Sequence, residues 1–198
     1  NSKVYIETTI PSFYYEDRTD AAAIARRDWT QQWWNNKRQN YELLTSIAVL
    51  NELQSGDYSK KENCLNLLSQ LFLITVEQEI IDIVQVYIKH KVMPCDPVGD
   101  ALHLALASYH KCDFLLTWNC KNLANANKFG HIRQINGLLG LYVPSIVTPL
   151  ELLEDEKDDE RIEKGALERV RDTRHQISEQ FNHDPKKLIE YYINLQEK

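Results

Sequence analysis

The stretch "VYIETTIPSFYYE", residues 4–16, decides how the rest of the chain is interpreted. Its first three residues favour a β-strand, because branched and aromatic side chains fit a pleated, buried surface. A carboxylate, Glu7, then ends this apolar segment, and the proline and serine that follow two threonines are typical of a helix start. The stretch therefore raises the question of what a charged group at the end of a buried strand binds.

The first 150 residues alternate short apolar segments with helical segments. Such alternation predicts an α/β fold with a parallel sheet that is covered on both faces. The predicted strands cover residues 3–7, 42–46, 71–76, 113–117 and 145–147. The predicted helices cover residues 20–37, 47–54, 58–69, 77–90, 97–110 and 127–138.

The clearest helix signal is "CDPVGDALHLALASYH", residues 95–110. Asp96 suits the N-cap, and a proline follows it at the first helical position. The segment is apolar nearly all round, which predicts a buried helix. Asp100 and His103 interrupt the apolar surface, and each also has an ordinary interpretation, as a charge at a helix N-terminus or as a hydrogen-bonded core histidine.

The charge of the chain is unevenly distributed. Residues 1–150 carry 14 Lys or Arg against 15 Asp or Glu, whereas residues 151–198 carry 9 against 14. The first part is nearly neutral and lacks the general positive field of many nucleic-acid-binding proteins. Any binding of RNA or DNA is therefore expected to be local and to be helped by metal ions.

The composition excludes several classes of protein. No apolar run approaches the roughly 18 to 20 residues that a membrane helix needs, and the first residues show no signal-peptide pattern, so a cytoplasmic location is expected. The four cysteines form no CxxC pair, which makes a zinc site improbable and favours a reducing compartment.

Two acids and two other polar residues are placed where parallel strands end or soon after, and a third acid opens the buried helix. Glu7 follows the first strand, Glu52 follows the second, Asp100 opens the buried helix, and Thr117 and Asn119 follow the fourth strand. Ligands bind at this edge of an open α/β sheet, where the strand order reverses. Clustered carboxylates repel one another unless a cation joins them, and oxygen ligands suit Mg²⁺ or Mn²⁺. Such an ion would activate a water for attack on a phosphodiester.

Four blocks of the sequence together resemble the acidic motifs of PIN-domain nucleases, most of all the VapC-type toxins of bacterial toxin–antitoxin pairs. The blocks are "VYIETTIPSFYY", "SIAVLNEL", "GDALHLALA" and "DFLLTWNCKNLAN", and the resemblance covers roughly residues 3–150. It implies a three-layer α/β/α PIN-like fold with a central parallel sheet, a Mg²⁺ or Mn²⁺ site and metal-dependent endoribonuclease activity.

The resemblance also implies which residues form the site. The metal ligands match Glu7, Glu52 and Asp100, and the fourth catalytic position is Asn119. Two departures matter, since the first acid of the family is usually Asp, and its fourth is an acid rather than an amide. The missing charge favours, as an alternative, a weak or inactive PIN-fold protein that binds RNA or metal. Possible helpers are Thr8, Asp96 and Thr117.

Residues 151–198 are predicted to form a charged helical extension to a nuclease domain at residues 1–150. The extension resembles, more weakly, small helical proteins encoded beside such nucleases, and implies an antitoxin-like segment that covers the acidic site in cis or in trans. The alternatives are a helix that packs on the body or dimerises, and an acidic segment that mimics RNA. The expected partners are an RNA substrate and a second copy of the chain. The arginines that could enter the site are Arg169, Arg171 and Arg174.

A segment rich in basic and aromatic residues lies before the second strand. It could form a surface for RNA, although tryptophans at this spacing are also typical of a core or an oligomer contact. Its residues are Trp29, Trp33 and Trp34 with Arg26, Arg27, Lys37 and Arg38.

Overall fold

The fold is described from a computed structural model, which covers residues 1–56, 59–92, 99–119, 123 and 126–153. The predicted helical extension at 151–198 lies almost wholly outside these residues, as do Asp96 and the three arginines of the extension. The boundary at residue 150 and the role of these side chains therefore stay predictions.

A five-stranded parallel sheet forms the centre of the molecule, with the strand order β3-β2-β1-β4-β5. The strands are β1 (Ser2–Ile6), β2 (Tyr41–Ser46), β3 (Phe72–Ile74), β4 (Phe114–Leu116) and β5 (Ser145–Val147). All five match the predicted strands to within a few residues. The predicted strand ends are less accurate at β3, which is three residues long.

Helices connect consecutive strands. They are α1 (Thr9–Tyr14), α2 (Ala21–Asn36), α3 (Ile47–Ser55), α4 (Lys61–Leu68), α5 (Gln78–Lys89), α6 (Asp100–Tyr109) and α7 (Ala126–Leu139), with a 3-10 turn at Arg38–Asn40. The short helix α1 lies where the proline and serine of the opening stretch indicate a helix start, although the predicted helical ranges do not include it. Within the described ranges, no helix is both long and apolar enough to cross a lipid bilayer.

The helices form two layers, one on each face of the sheet. The chain moves from β1 through β2 to β3 in one direction across the sheet, then returns to β4 and β5 on the other side of β1. Parallel connections are right-handed, so the helices α1–α4 cover one face and α5–α7 cover the other. Contacts within each group, such as α1 with α4 and α5 with α6, agree with this division. The predicted α/β fold with a central parallel sheet between helical layers is confirmed.

The central strand β1 is buried on both faces. Val4, Tyr5 and Ile6 have no exposed surface, and they pair with residues of β2 and β4. Helix α6 is also buried nearly all round, as its sequence predicts. It begins at Asp100 with Gly99 at the N-cap, three residues after the predicted start.

Local capping fixes where two helices begin. The carboxylate of Asp20 accepts a hydrogen bond from Ala23 N at 3.0 Å at the start of α2. The hydroxyl of Ser46 accepts one from Val49 N at 3.3 Å, so the last residue of β2 also starts α3. Thr8, at the N-cap of α1, makes no such bond to the helix, which leaves its hydroxyl available for another partner.

The strand order places a crevice at the carboxyl ends of β1 and its neighbours. The connections from β1 and from β3 leave in opposite directions, so β1 and β4 are adjacent strands at the point where the order reverses. Open α/β sheets bind ligands at this point. The residues that follow β1, β2 and β4 are therefore the first place to look for a site.

Truncation of a core leucine should test the packing of α6 against the sheet. Leu106 is fully buried, and we expect Leu106→Ala to lower the free energy of unfolding by about 2–5 kcal/mol. Leu138 on α7 is 76% exposed, so Leu138→Ala is the matched control and should change it by less than about 0.5 kcal/mol. Urea unfolding followed by circular dichroism measures both, and equal losses would contradict the described burial.

Candidate active site

The carboxylate of Glu7 is buried at the end of β1, with 3% of the residue exposed. Thr9 provides most of its hydrogen bonds, from the backbone N–H at 3.1 Å to both oxygens and from the hydroxyl at 2.6 Å to Oε2. The hydroxyl of Thr117, after β4, also bonds to it. No Lys or Arg among the described residues forms an ion pair with Glu7. Burial raises its pKa, although the charge of His103 and these hydrogen bonds oppose the shift.

Thr9 also ties the ends of β1 and β4 together. Its hydroxyl accepts a hydrogen bond from Trp118 N at 2.8 Å while it donates to Glu7. The backbone N–H of Glu7 donates to the carbonyl of Leu116 at 3.4 Å, which continues the ladder between these strands. The carboxylate therefore has a position fixed from two adjacent strands.

Glu52, on α3, forms an ion pair with His103 on α6. The Nε2 atom of His103 lies 3.2 Å from each carboxylate oxygen, and the hydroxyl of Thr8 donates a short hydrogen bond to Oε2. About a third of the Glu52 side chain is exposed. Burial alone would raise the pKa of Glu52, but the hydrogen bond and charge of His103, together with Thr8, outweigh it and lower the pKa.

The imidazole of His103 is the buried centre of a polar chain. Its Nδ1 lies 2.9 Å from the hydroxyl of Tyr5, which lies 2.7 Å from the hydroxyl of Ser46. Burial opposes the charged form of the ring, yet the hydrogen bond and charge of Glu52, followed by the charges of Glu7 and Asp100, raise its pKa. When the ring is protonated, both nitrogens are donors, one to Glu52 and one to Tyr5.

Asp100, the first residue of α6, is held by the residue in the fourth predicted position. The amide of Asn119 donates to Asp100 Oδ1 at 2.7 Å, and the backbone N–H of Asn119 donates to the hydroxyl of Thr117 at 2.8 Å. An acid in place of Asn119 would need a proton to make the same bond. The amide therefore satisfies Asp100 without adding a negative charge.

The three acids share one electrostatic environment. Glu7, Glu52 and Asp100 all act on the same buried ring of His103. Their oxygens are of the kind that Mg²⁺ and Mn²⁺ prefer, and a buried carboxylate such as Glu7 is stabilised by a cation. The donor set therefore fits a hard divalent ion in its chemistry.

The arrangement of these donors is a separate question. Among the described residues, no group of three or more His, Cys, Asp and Glu side chains is positioned to hold a metal ion. Glu52 is bound by Thr8 and His103, and Asp100 is bound by Asn119. An ion at this site has to compete with these hydrogen bonds.

Most of the residues selected from the sequence lie at this edge of the sheet. Glu7, Glu52 and Asp100 take part in the hydrogen bonds described above, and so do Thr8 with Glu52 and Thr117 with Glu7 and Asn119. Their proposed roles as ligands, catalytic groups and helpers stay predictions, since positions alone do not test them.

The site contains further residues that the sequence did not clearly indicate. His103 had the alternative of an ordinary core histidine, and Tyr5, Thr9 and Ser46 were not selected. The sequence offered one signal for Tyr5 and Ser46, because a buried tyrosine hydroxyl needs a hydrogen-bond partner. The sequence did not indicate which residue that hydrogen-bond partner is.

Of the two alternatives for the tryptophans before β2, an RNA surface or the core, the core applies to Trp33 and Trp34. Trp33 is 0% and Trp34 is 2% exposed, and both belong to the core. Trp29 is partly exposed and stacks on Trp118, with ring centroids 6.1 Å apart.

The chain was compared with family models, curated proteins and solved structures, and matches were found among the solved structures. No family model matches the chain, and no curated protein does. Among solved structures, VapBC2 from Rickettsia felis, bound to a DNA fragment from its promoter, matches at 17% identity and a TM-score of 0.43, with 74% of this chain and 98% of that chain covered. FitAcB from Neisseria gonorrhoeae matches at 14% identity and a TM-score of 0.45, with 74% and 97% covered.

The ion pair predicts how two histidines titrate in metal-free buffer. The pKa of His103 should lie above the usual 6.5, and Glu52→Gln should lower it, because the main partner that stabilises the charged ring is lost. His110, whose pKa burial lowers, is the internal control and should not respond. NMR titration of the ring resonances measures both, and a pKa of His103 that ignores Glu52→Gln would contradict the described pair.

The same shifts fix the sign of the effect on stability. The raised pKa of His103 stabilises the fold at low pH and loses this effect as pH rises through that pKa. The lowered pKa of Glu52 stabilises the fold at higher pH and loses its effect as pH falls through that pKa. The pair therefore contributes most between the two pKa values.

Proposed function

We propose that this protein is a Mg²⁺- or Mn²⁺-dependent endoribonuclease of the VapC toxin type. The observation that supports it best is that three carboxylates near the point where the strand order reverses act through their charges on one buried histidine. One of them, Glu7, is buried without a Lys or Arg ion pair in the described part of the chain. The order of the four sequence blocks adds independent support.

The proposed ligands of the ion are Glu7, Glu52 and Asp100. When bound, a divalent ion would lower the pKa of a coordinated water and offset the negative charge that builds up on the phosphodiester. The remaining residues act through hydrogen bonds. Asn119 orients Asp100, Thr9 and Thr117 hold the buried Glu7, and His103 orients Glu52.

The hydrogen bonds of the site also explain how the acids are stable without an ion. The protonated ring of His103 offsets part of the negative charge. Thr8 and Asn119 bind carboxylate oxygens that an ion would otherwise coordinate. A bound ion would therefore have to replace the hydrogen bonds of Thr8 and Asn119.

A second candidate function is binding of RNA or metal without efficient turnover. Asn119 favours it, since an amide occupies the fourth position and donates to Asp100 instead of adding a charge. A site with one fewer carboxylate attracts a second divalent ion less strongly. Cleavage separates the two candidates.

Cleavage of RNA is the direct test. Purified full-length protein should cut single-stranded RNA in Mg²⁺ or Mn²⁺ and lose this activity in EDTA. Asp100→Asn should lower the rate by about a hundredfold or more, as expected when a charge-stabilising group of an active site is removed. Asp82→Asn, an exposed position on α5, is the matched control and should leave the rate unchanged.

Two results of this assay would decide against an enzyme. RNA that is retained but not cut in either metal supports the binding protein. Equal rates for the wild type and Asp100→Asn would assign any cleavage to a contaminating nuclease.

The C-terminal segment is proposed to restrain the activity through its arginines, which would bind the carboxylates in place of the ion. Substituting Arg169, Arg171 and Arg174 by Gln in the full chain should raise the cleavage rate about tenfold or more, which corresponds to a loss of ~1.4 kcal/mol of inhibitory contact. Substituting Lys186, Lys187 and Lys198 by Gln removes the same charge from the same segment as a control. An unchanged rate in the arginine variant would remove the inhibitory role.

A further inference from the structure

Arg26, on α2, lies on an aromatic surface next to the site. Its guanidinium carbon is 5.4 Å from the ring centroid of Phe13 and 5.8 Å from that of Trp118. Both distances are within the range of cation–π attraction, and the residue is partly exposed. A guanidinium that stacks on rings keeps the N–H groups of its edge available for a planar or anionic partner.

Neighbouring arginines already have carboxylate partners, whereas Arg26 does not within the described ranges. Arg18 binds Glu16 at 2.7 Å, and Arg27 binds Asp28 at 3.0 Å. No ion pair of Arg26 with an acid occurs among the described residues. Its charge is therefore available to a ligand in a way that those of Arg18 and Arg27 are not.

The location of Arg26 is fixed relative to the acids. Trp118 stands between Thr117 and Asn119, and its backbone N–H bonds to Thr9, which holds Glu7. Its indole Nε1 donates to the hydroxyl of Thr30 at 2.7 Å, and this hydroxyl donates to the carbonyl of Arg26 at 2.6 Å. The same tryptophan therefore contacts the acidic site through its backbone and the helix of Arg26 through its side chain.

We propose that Arg26 binds a phosphate of single-stranded RNA, other than the one that is cleaved, and so holds the strand across the carboxylates. This inference rests on the proposed function. The acids repel RNA, and residues 1–150 are nearly neutral, so a strand that reaches the site needs a local cation. Sites for single strands combine such cations with aromatic side chains.

The test separates binding from cleavage. In the full-length Asp100→Asn background, fluorescence anisotropy measures the Kd for an oligouridylate of roughly twelve nucleotides over a series of salt concentrations. Arg26→Gln should raise the Kd about five- to tenfold and reduce the slope of log Kd against log salt by about 0.7, the value for one phosphate contact of a single strand. Arg26→Lys keeps the charge and should keep the slope, with part of the loss in affinity.

Arg27→Gln is the matched control, because it removes the same charge from the next residue of the same helix. It should leave the Kd and the slope close to those of the parent. The Arg26→Lys variant also distinguishes loss of the charge from a general loss of folding, because a folding defect would not depend on whether the substituted residue is charged.

Three results would overturn the proposal. They are an unchanged Kd and slope in Arg26→Gln, absence of oligouridylate binding by the parent, and tighter binding of polyglutamate than of RNA at equal salt, which would assign Arg26 to an acidic protein partner. Cleavage by the wild type that is indifferent to Arg26→Gln overturns this inference alone. A slope that depends on Arg26 without any cleavage supports the inference and overturns the nuclease.

Discussion

The carboxylate of Glu7 is buried at the end of the central strand, where water can no longer solvate its charge. Such a group stays ionised only with hydrogen bonds and a compensating charge. Its hydrogen bonds come from Thr9 and Thr117, which belong to the segments after β1 and β4. The junction of these two strands and the state of this carboxylate therefore depend on each other, and the geometry of the site follows from the order of the sheet.

His103 is the group in the fold whose positive charge offsets that of the Glu7 carboxylate. The ring is buried between Tyr5 and Glu52. Burial opposes its charged form, but the hydrogen bond and charge of Glu52, followed by the charges of Glu7 and Asp100, raise its pKa. The charged ring therefore offsets part of the negative charge that these acids bring to the site.

Residues 1–150 are nearly neutral, so under the proposed function the location of each positive charge would matter for binding RNA. Two of the described arginines close to α1 and α2, Arg18 and Arg27, are paired with carboxylates, and such exposed pairs contribute little to affinity for a ligand. Arg26 lies over two aromatic rings, those of Phe13 and Trp118. Trp118 connects this cation to the acids, so substrate binding and catalysis would share one structural element.

Short apolar runs, caps and periodicity are local properties of the chain, and they suffice to predict the strands, most helices, the parallel sheet and the segments that contain the acids. It could not determine the partners of each side chain. That His103 binds Glu52, that Asn119 binds Asp100 and that Trp33 and Trp34 enter the core depend on contacts between residues far apart in sequence. These contacts are visible only in the tertiary structure, because hydrogen bonds and burial depend on which surfaces meet when the sheet and its two helical layers pack.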